Sequence, residues 1–404
     1  MSTLKYRLLL LGSTSEFAIL TKLAKEMGCY VVICDGYETG VARKLADKCY
    51  TLNVNLTDEI VKICELERID RIIGSFSDFL FECMVKISHK ANLPTYISLE
   101  KLNYFRDKVQ MNKMFDELEL DYPKTAQVNS TNYIENTTNM CFPMIVKPIS
   151  GWGSRGVRII NDYDELKYEL TQGEVIIQEY NTNKAYNFCS WLVDGVAFDI
   201  SLEQRDVIDD AVDRRFPLLK NIYTISDRVS LQNKLRNYAQ KIADFAGIKN
   251  GPIHMQLWAD EYDNIKICEV AARCFGYDQR AHYKYTDLND SKLLLLTMFE
   301  PDKLKEYIQT KKYTNKYLST LYVSIKDEII ADNSQFLELL NSPNVLYHKI
   351  FVPNGLSTGY LHESYYAVVI LQADTKEEIE SATNTFHSSM CLYNDKGENL
   401  IRRY

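Results

Sequence analysis

The sequence has 404 residues, of which 46% are hydrophobic and 25% are charged, a composition typical of a folded globular protein and far from that of a disordered chain. Lys and Arg total 47 against 55 Asp and Glu, and the formal net charge of −8 argues against a general nucleic-acid binder, whose surface is basic. The apolar runs at 8–11 and 293–296 are too short for a signal peptide or a membrane span, so we expect a cytoplasmic protein with no membrane partner.

Residues 1–102 alternate short apolar segments with amphipathic ones, which predicts a Rossmann-like parallel sheet covered by helices. Gly12 and Asp35 suggest a dinucleotide site, but the second and third glycines of that fingerprint are missing, so we do not expect NAD. Asp78 follows a predicted strand and is either a helix N-cap or a contact for a substrate. The predicted strands are 6–11, 30–34, 71–74 and a short one after Pro94, and the predicted helices are 17–27, 58–67 and 79–91.

Beyond residue 102 the pattern changes to one of strand pairs with intervening helices, which indicates an α+β arrangement. Asp194-Gly195 is a hairpin turn signal between two apolar strands. The predicted helices are 105–118, 164–170, 231–247 and 375–386. The predicted strands are 144–147, 157–160, 175–179, 190–193, 196–202, 254–259, 265–270, 320–325 and 367–373.

A glycine loop directly after a strand is the sharpest local motif. The strand ends at Lys147, and a loop of this kind lets backbone N–H groups approach phosphate oxygens while the lysine supplies positive charge. The alternative is a flexible surface hairpin with a solvated lysine. The loop residues expected to contact phosphate are Gly151, Gly153, Ser154 and Gly156.

A second motif lies on the predicted hairpin at 254–270. Gln256 and Glu269 can point to the same face of this hairpin, and amide and carboxylate oxygens are hard ligands that suit Mg²⁺. Arg273 follows four residues later, where a guanidinium could bind phosphoryl oxygens through two hydrogen bonds. The alternative is a surface hairpin with one Glu–Arg pair of little energetic value.

Taken in order, these residues resemble the ATP-grasp superfamily over about residues 5–300, and more weakly beyond. The resemblance implies a Rossmann-like domain at 1–102, an ATP-grasp domain at 103–300 with a lid at about 125–190, and a C-terminal α+β segment at 301–404 that completes the core. It also implies that Lys108 and Lys147 contact ATP phosphates and that the glycine loop closes over them. The residues matching the adenine-binding segment are Gln178, Glu179 and Asn181.

Three departures from the family pattern show which branches of the family this chain resembles and which contacts it lacks. Gln256 stands where many relatives have Glu, as in the carbamoyl-phosphate synthetase branch, so the resemblance implies one or two Mg²⁺ ions bound through Gln256 and Glu269. The segment from Glu269 to Arg273 lacks the asparagine of the common motif and is similar to that of L-amino-acid ligases. The glutamate that often binds ribose is replaced in the segment at 184–186.

The resemblance implies an ATP-dependent ligase that activates a small-molecule carboxylate as an acyl phosphate for attack by an amine, as in amino-acid or dipeptide ligation. Arg273 would steady the acyl phosphate, and a homodimer is compatible with the sequence. One alternative is an enzyme of the biotin-carboxylase or formyl-phosphate type. The other is a nucleotide-binding regulatory protein whose catalytic site has degraded.

The cysteines and histidines show no spacing typical of a metal site. None of the ten cysteines forms a Cys-x-x-Cys pair, and they lie within apolar patterns, so we expect buried reduced thiols. His254 reads as a packed core histidine, and His282 shows no ligand spacing.

Overall fold

The first apolar segments form a parallel sheet. In the computed structural model, which describes residues 5–149, 157–171, 173–208, 218–224, 227–274, 279–359 and 365–402, this sheet has the strand order β3-β2-β1-β4. The inner strand β1 has neighbours on both sides, and its four leucines are fully buried, as expected when helices cover both faces. The four strands are β1 (Tyr6–Leu11), β2 (Cys29–Asp35), β3 (Lys48–Thr51) and β4 (Arg71–Ile73).

Helices connect these strands, as the alternating pattern predicts. The prediction of a further strand after Pro94 is wrong. That segment is short because Ser98 already caps the next helix by accepting a hydrogen bond from the Lys101 N–H. Tyr96 lies between Pro94 and Ser98. Its ring packs against the main apolar core, and its backbone does not pair with β4. The helices of this region are α1 (Ser15–Glu26), α2 (Thr57–Glu67), α3 (Asp78–Lys90) and α4 (Leu99–Leu102), with short 3-10 turns at Val41–Lys44 and Asn103–Phe105.

A small antiparallel sheet follows, with the strand order β5-β8-β6-β7. Buried side chains of this sheet, including Val146 and Ile177, form a separate core with Leu166 of α7. The elements are α5 (Lys108–Glu117), β5 (Thr125–Val128), α6 (Tyr133–Thr137), β6 (Met144–Pro148), β7 (Arg158–Ile160), α7 (Tyr163–Leu170) and β8 (Val175–Glu179).

The chain then enters a larger antiparallel sheet in which β13, β12, β9 and β10 are neighbours in that order. Asp194 and Gly195 both have positive φ, as a two-residue type I′ hairpin requires. Gly247 ends α8 in the left-handed conformation that glycine adopts without strain. The elements are β9 (Lys184–Val193), β10 (Val196–Ile208), β11 (Leu218–Thr224), α8 (Val229–Ala246), β12 (Gly251–Ala259), β13 (Ile265–Ala271), α9 (Gln279–Thr286), α10 (Asp290–Phe299) and α11 (Leu304–Gln309), with a 3-10 turn at Pro301–Lys303.

The chain divides into two compact units. The first contains Met1–Asn183, Asn187–Ser201 and Arg228–Lys312, and the second contains Lys184–Tyr186, Leu202–Asp227 and Tyr313–Tyr404. In the second unit β10 is followed in the sheet by β11, β14, β16 and β15, and an apolar core lies around Leu321, Val369 and Phe386. Its further elements are β14 (Tyr317–Val323), α12 (Ser334–Leu339), β15 (Val345–Ile350), β16 (Ala367–Ala373) and α13 (Lys376–Ser389).

The main core of the first unit joins the parallel sheet to the larger antiparallel one. Leucines of α10 pack with β1, β2 and α1, and the buried Trp191 ring packs in the same cluster. The Trp191 Nε1–H donates to Thr297 Oγ1 at 3.0 Å, and Arg71 Nε donates to the Met298 carbonyl at 2.9 Å. The predicted fold class, a parallel N-terminal sheet followed by antiparallel sheets, is confirmed. Among the described residues, no helix is both long and apolar enough to cross a bilayer.

Candidate active site

Lys147 is a nearly buried cation at the end of β6. Its side chain is 8% exposed, and its Nζ donates to Gln178 Oε1 at 2.6 Å on the neighbouring strand β8. Gln178 is held in turn by its Nε2–H, which donates to Thr125 Oγ1 at 3.1 Å. Because an amide oxygen is neutral, this bond orients the ammonium without cancelling its charge, and the cation can still attract an anion.

The hairpin of β12 and β13 places Gln256 opposite Glu269. These two residues are direct cross-strand partners, so their side chains lie on the same face of the pair. Along a regular strand Glu269 would share a face with the buried Ile265 and Ile267, because side chains alternate. The register shifts between these pairs because Cys268 is an extra residue, and this β-bulge turns Glu269 to the side of Gln256.

Lys108 belongs to the same cluster. It begins α5 directly after Asp107, whose side chain caps the helix by accepting from the N–H groups of Val109 and Gln110. Burial lowers the pKa of Lys108, the charge of Glu269 opposes this, and the neighbouring cation Lys147 lowers the pKa further. The Lys147 Nζ also lies 3.9 Å from Cys268 Sγ on the bulge. The first turn of α5 therefore places Lys108 within electrostatic range of Lys147 on β6 and of Glu269 at the bulge of β13.

Arg273 is held by an acidic residue of the parallel-sheet region. Its Nε and Nη2 donate to the two carboxylate oxygens of Asp78 at 2.8 and 2.7 Å, and its Nη1 donates to the Cys274 carbonyl at 3.2 Å. Burial alone would raise the pKa of Asp78, but the charge and hydrogen bonds of Arg273, helped by Arg106, hold it below its usual value. Such a two-point contact fixes the plane of the guanidinium.

A tyrosine bridge joins the same regions of the chain. The Tyr96 hydroxyl lies 2.9 Å from Ser75 Oγ and donates to the Ala272 carbonyl at 2.9 Å. Gly251, with φ of +142°, passes the Tyr96 ring so closely that an added Cβ would lie 3.0 Å from it. The backbone beside Arg273 is therefore positioned independently of the Asp78 contact.

The residues expected at the adenine end lie along and beyond β8. Gln178 is used in holding Lys147, as described above. The Glu179 N–H donates to the Lys124 carbonyl at 3.0 Å, and its carboxylate lies 3.4 Å from Lys124 Nζ. Asn181 Oδ1 accepts from the Asn183 N–H at 2.9 Å and so shapes its own turn. The predicted phosphate-loop residues Gly151, Gly153, Ser154 and Gly156 lie outside the described residues.

Sequence reasoning missed two participants. Asp78 was expected to be a helix cap or a substrate contact, but the cap is Ser77, which accepts from the Leu80 N–H, and Asp78 pairs with Arg273 instead. A buried acidic residue directly after a capping serine was the available signal. The second residue that sequence reasoning missed is Cys268. Its role as the extra residue of a bulge is visible only in the register between β12 and β13.

Comparisons with known proteins identify one domain of this chain and show which solved structures share its fold. Residues 140–281 match the family model described as an ATP-grasp domain. A curated relative, formate-dependent phosphoribosylglycinamide formyltransferase of Prochlorococcus marinus (strain MIT 9303), is 24% identical over 170 residues, which are 41% of this chain and 43% of the relative. The chain thus matches less than half the length of that relative.

Two solved structures share the fold over nearly the whole chain. The L-amino acid ligase from Bacillus licheniformis has a TM-score of 0.80 at 14% identity and covers 97% of this chain and 99% of its own. The biotin carboxylase domain dimer of 2-oxoglutarate carboxylase from Hydrogenobacter thermophilus, in complex with MgADP and bicarbonate, has a TM-score of 0.76 at 14% identity, covering 98% of this chain and 91% of its own. At this identity the likeness concerns the fold.

Proposed function

Because residues 140–281 form an ATP-grasp domain, we propose that this chain is an ATP-dependent ligase that joins a small-molecule carboxylate to an amine. Two observations together carry the proposal. Lys108 is within electrostatic range of Lys147 and Glu269, and Glu269 is the cross-strand partner of Gln256. Two cations that repel each other are costly to bring together unless a polyanion such as a nucleotide phosphate binds between them.

Lys147 and Lys108 are proposed to offset the charge of the ATP phosphates. Phosphoryl transfer needs little covalent chemistry from a protein, so positioning and charge stabilisation account for most of the catalysis. Lys147 is suited to this role because the Gln178 amide fixes its ammonium in a nearly closed environment. We expect the glycine loop from Gly151 to Gly156, with Ser154, to cover the same phosphates, and Gln178, Glu179 and Asn181 to line the adenine end.

The donor set of Gln256 and Glu269 fits Mg²⁺. Both side chains offer oxygen atoms on one face, and Mg²⁺ prefers a few oxygen ligands together with waters and substrate phosphates. When bound, Mg²⁺ supplies neutralisation of phosphate charge. This pair has one carboxylate fewer than in many relatives, because Gln256 replaces a glutamate. The proposal is therefore for one or two Mg²⁺ ions.

Arg273 is proposed to act on the reacting carboxylate. An oxygen of the substrate carboxylate attacks the γ-phosphorus of ATP, ADP leaves, and an acyl phosphate forms. The amine then attacks the acyl carbon, loses a proton, and inorganic phosphate leaves from the tetrahedral intermediate. Asp78 holds the Arg273 guanidinium in one plane, and a preorganised charge of this kind stabilises the developing oxyanion.

A second candidate is formation of formyl phosphate or carboxyphosphate. The curated relative named a formate-dependent formyltransferase supports it, as does the fold shared with a biotin carboxylase domain. Both would use the same lysines and differ in the small acid that accepts the phosphoryl group. A homodimer is a further part of the proposal, to be tested by light scattering.

Positional isotope exchange in ATP labelled at the β,γ-bridging oxygen tests the proposal. With Mg²⁺ and one carboxylate but no amine, reversible acyl phosphate formation scrambles the label, and adding the matching amine converts scrambling into net ADP release. The panel includes amino acids, dipeptides, formate and bicarbonate, and the acid that supports scrambling decides between the two candidates. We expect Arg273→Ala to bind ATP nearly normally and to turn over about a hundredfold more slowly, the scale of one lost charge stabiliser.

Nucleotide binding with neither scrambling nor ADP release for any acid would contradict the ligase and favour a regulatory binder. The matched control is Lys167→Ala, because Lys167 is exposed and pairs with Asp164 on the surface of α7. Its scrambling and ADP release should equal those of the wild type.

A further inference from the structure

A buried group of sulfur and nitrogen ligands uses none of the residues to which a role is given above. The Cys189 Sγ and one ring nitrogen each of His254 and His282 all lie within 4.8 Å of one another. The three side chains are 2%, 1% and 1% exposed, respectively. They come from β9, β12 and α9, which are separated by tens of residues, so sequence spacing could not reveal them.

A carboxylate completes the surroundings of His282. Its Nδ1 lies 2.8 Å from Asp290 Oδ2, and Asp290 is 1% exposed at the start of α10. Histidines that bind metals commonly donate their other ring N–H to a carboxylate, which fixes the tautomer and makes the ligand nitrogen more basic. With Nδ1–H donating to Asp290, Nε2 is the nitrogen of His282 that would bind a metal.

We propose that Cys189, His254 and His282 bind a divalent transition metal of the zinc type. Thiolate and imidazole ligands select zinc over Mg²⁺, which prefers oxygen ligands. This donor set therefore separates the site chemically from Gln256 and Glu269, although His254 lies only two residues before Gln256 on β12.

Charge balance supports a divalent ion. A buried carboxylate is costly unless a positive charge compensates it, and the same holds for a buried thiolate. A divalent ion on Cys189 thiolate, with Asp290 behind His282, brings the formal charge of the group to zero. Binding releases the Cys189 thiol proton to solvent.

The geometry requires a small adjustment. Zinc bonds of about 2.0 to 2.3 Å separate tetrahedral ligand atoms by roughly 3.3 to 3.7 Å, so binding draws these atoms together by at most about 1.5 Å. The ion would link α9 to the two sheet strands β9 and β12 within the first unit. We therefore expect it to stabilise this unit and to need no nucleotide.

The test measures metal content and coordination in the full chain without nucleotide. The chain is purified with a chelator, reloaded with Zn²⁺ or Co²⁺, and desalted, and the metal is counted by plasma mass spectrometry. We expect about one equivalent per chain, a zinc-dependent rise in melting temperature, and in the Co²⁺ form a sulfur-to-cobalt absorption band. X-ray absorption of the zinc form should show one sulfur and two histidine nitrogens.

Cys189→Ala should lack the cobalt band and bind zinc at least tenfold more weakly than the wild type. His282→Ala should weaken zinc binding by a similar factor. Cys64→Ala, at an equally buried cysteine on α2, and Glu269→Gln should keep both. If a variant fails to fold, the X-ray absorption of wild type decides the matter. Wild type that retains no Zn²⁺, a zinc site without sulfur, or a cobalt band that survives in Cys189→Ala would each overturn the proposal.

Discussion

At the scale of single residues, Lys147 is a nearly buried cation whose hydrogen-bond acceptor carries no charge. Its hydrogen-bond acceptor is the neutral amide of Gln178, and the nearest thiol, Cys268, lies at 3.9 Å. A carboxylate in the place of Gln178 would neutralise the cation and compete with phosphate. The amide instead orients the cation and leaves its charge uncompensated.

Lys147→Ala should therefore weaken the binding of ATP and ADP alike, because it removes charge facing phosphates common to both. A lost charge-assisted contact costs on the order of 1.5–3 kcal/mol, or roughly ten- to a hundredfold in affinity. Titration calorimetry measures both ligands. Lys167→Ala should bind like the wild type, and unaltered ADP affinity in a folded Lys147→Ala would place this lysine outside the nucleotide site.

Exchanging amide and carboxylate at Gln256 or Glu269 tests whether these two side chains bind Mg²⁺. Gln256→Glu adds a second carboxylate to the pair, so less Mg²⁺ should be needed for half-maximal nucleotide binding, whereas Glu269→Gln should raise that concentration severalfold. A Mg²⁺ titration at fixed ADP provides the measurement. If neither variant shifts the Mg²⁺ midpoint, these side chains do not bind the ion.

Asp78 gives a prediction about pH. The folded-state pKa of Asp78 is lowered from its ordinary value near 3.9, so this group stabilises the fold above about pH 4 and loses that contribution as the pH falls toward the folded-state pKa. Asp78→Asn should cost about 3–5 kcal/mol at pH 7, because it leaves Arg273 buried without its anion. It should also flatten the decline of stability between pH 5 and 3.

Urea midpoints measured at each pH provide the comparison. Asp164→Asn serves as the control, because the Asp164 side chain is 91% exposed at the start of α7. Its stability should follow the wild-type pH profile. An equal acid slope in wild type and Asp78→Asn would show that Asp78 does not titrate with folding.

At the scale of elements, one extra residue in β13 determines on which face of the strand the Glu269 side chain lies. Without the bulge at Cys268, Glu269 would point with Ile265 and Ile267 into the apolar core. Bulges are common next to active sites because they redirect a side chain in this way. The position of Cys268 also brings its thiol beside Lys147, so the bulge links the hairpin to β6.

The strands around the glycine loop should respond to nucleotide. Lys147 lies near the end of β6, before the loop, and β7, which follows the loop, pairs with β6. If MgATP orders this loop, amide hydrogen exchange across residues 147–160 should slow on binding, while exchange in α2 should not change. Unchanged exchange at 147–160 together with measurable ATP binding would mean that the loop does not close over the phosphates.

Local pattern predicted most of the elements that carry the site, and the reason for each failure is physical. Strands such as β1 and β6 are apolar enough to be recognised, and Asp107, the residue that caps α5, is a typical helix-capping residue. Lys48–Thr51 forms β3 with polar and half-exposed side chains, so its pairing partner β2 rather than its pattern makes it a strand. The contacts of Asp78 with Arg273 and of Cys189 with two histidines join distant segments and cannot be read from spacing.

At the scale of the whole molecule, the described site residues all belong to the first compact unit. Lys108 and Lys147, Gln178, Glu179 and Asn181, Gln256 and Glu269, and Asp78 with Arg273 lie within Met1–Asn183 or Arg228–Lys312. The residues proposed to bind nucleotide and metal therefore come from one unit with a shared core. The matched family model, at 140–281, covers most of these residues but begins after Asp78 and Lys108.

Ligand binding should stabilise the chain by mass action. At about a hundred times its dissociation constant, MgATP should raise the free energy of unfolding by about 2.7 kcal/mol. Urea unfolding with and without MgATP measures this. In Lys147→Ala the same increase should need roughly ten- to a hundredfold more nucleotide, in line with its affinity loss. A stabilisation that does not follow affinity would indicate nucleotide binding elsewhere.

The pairing of Asp78 with Arg273 also has a consequence for synthesis. The two residues are 195 positions apart, and at roughly 5–20 residues per second the ribosome needs about 10–40 s to make the second after the first. The parallel sheet of β1 to β4 can assemble within that interval, but the carboxylate at its edge must stay in water until its guanidinium emerges. The nascent chain thus keeps the Asp78 carboxylate hydrated until Arg273 has been synthesised.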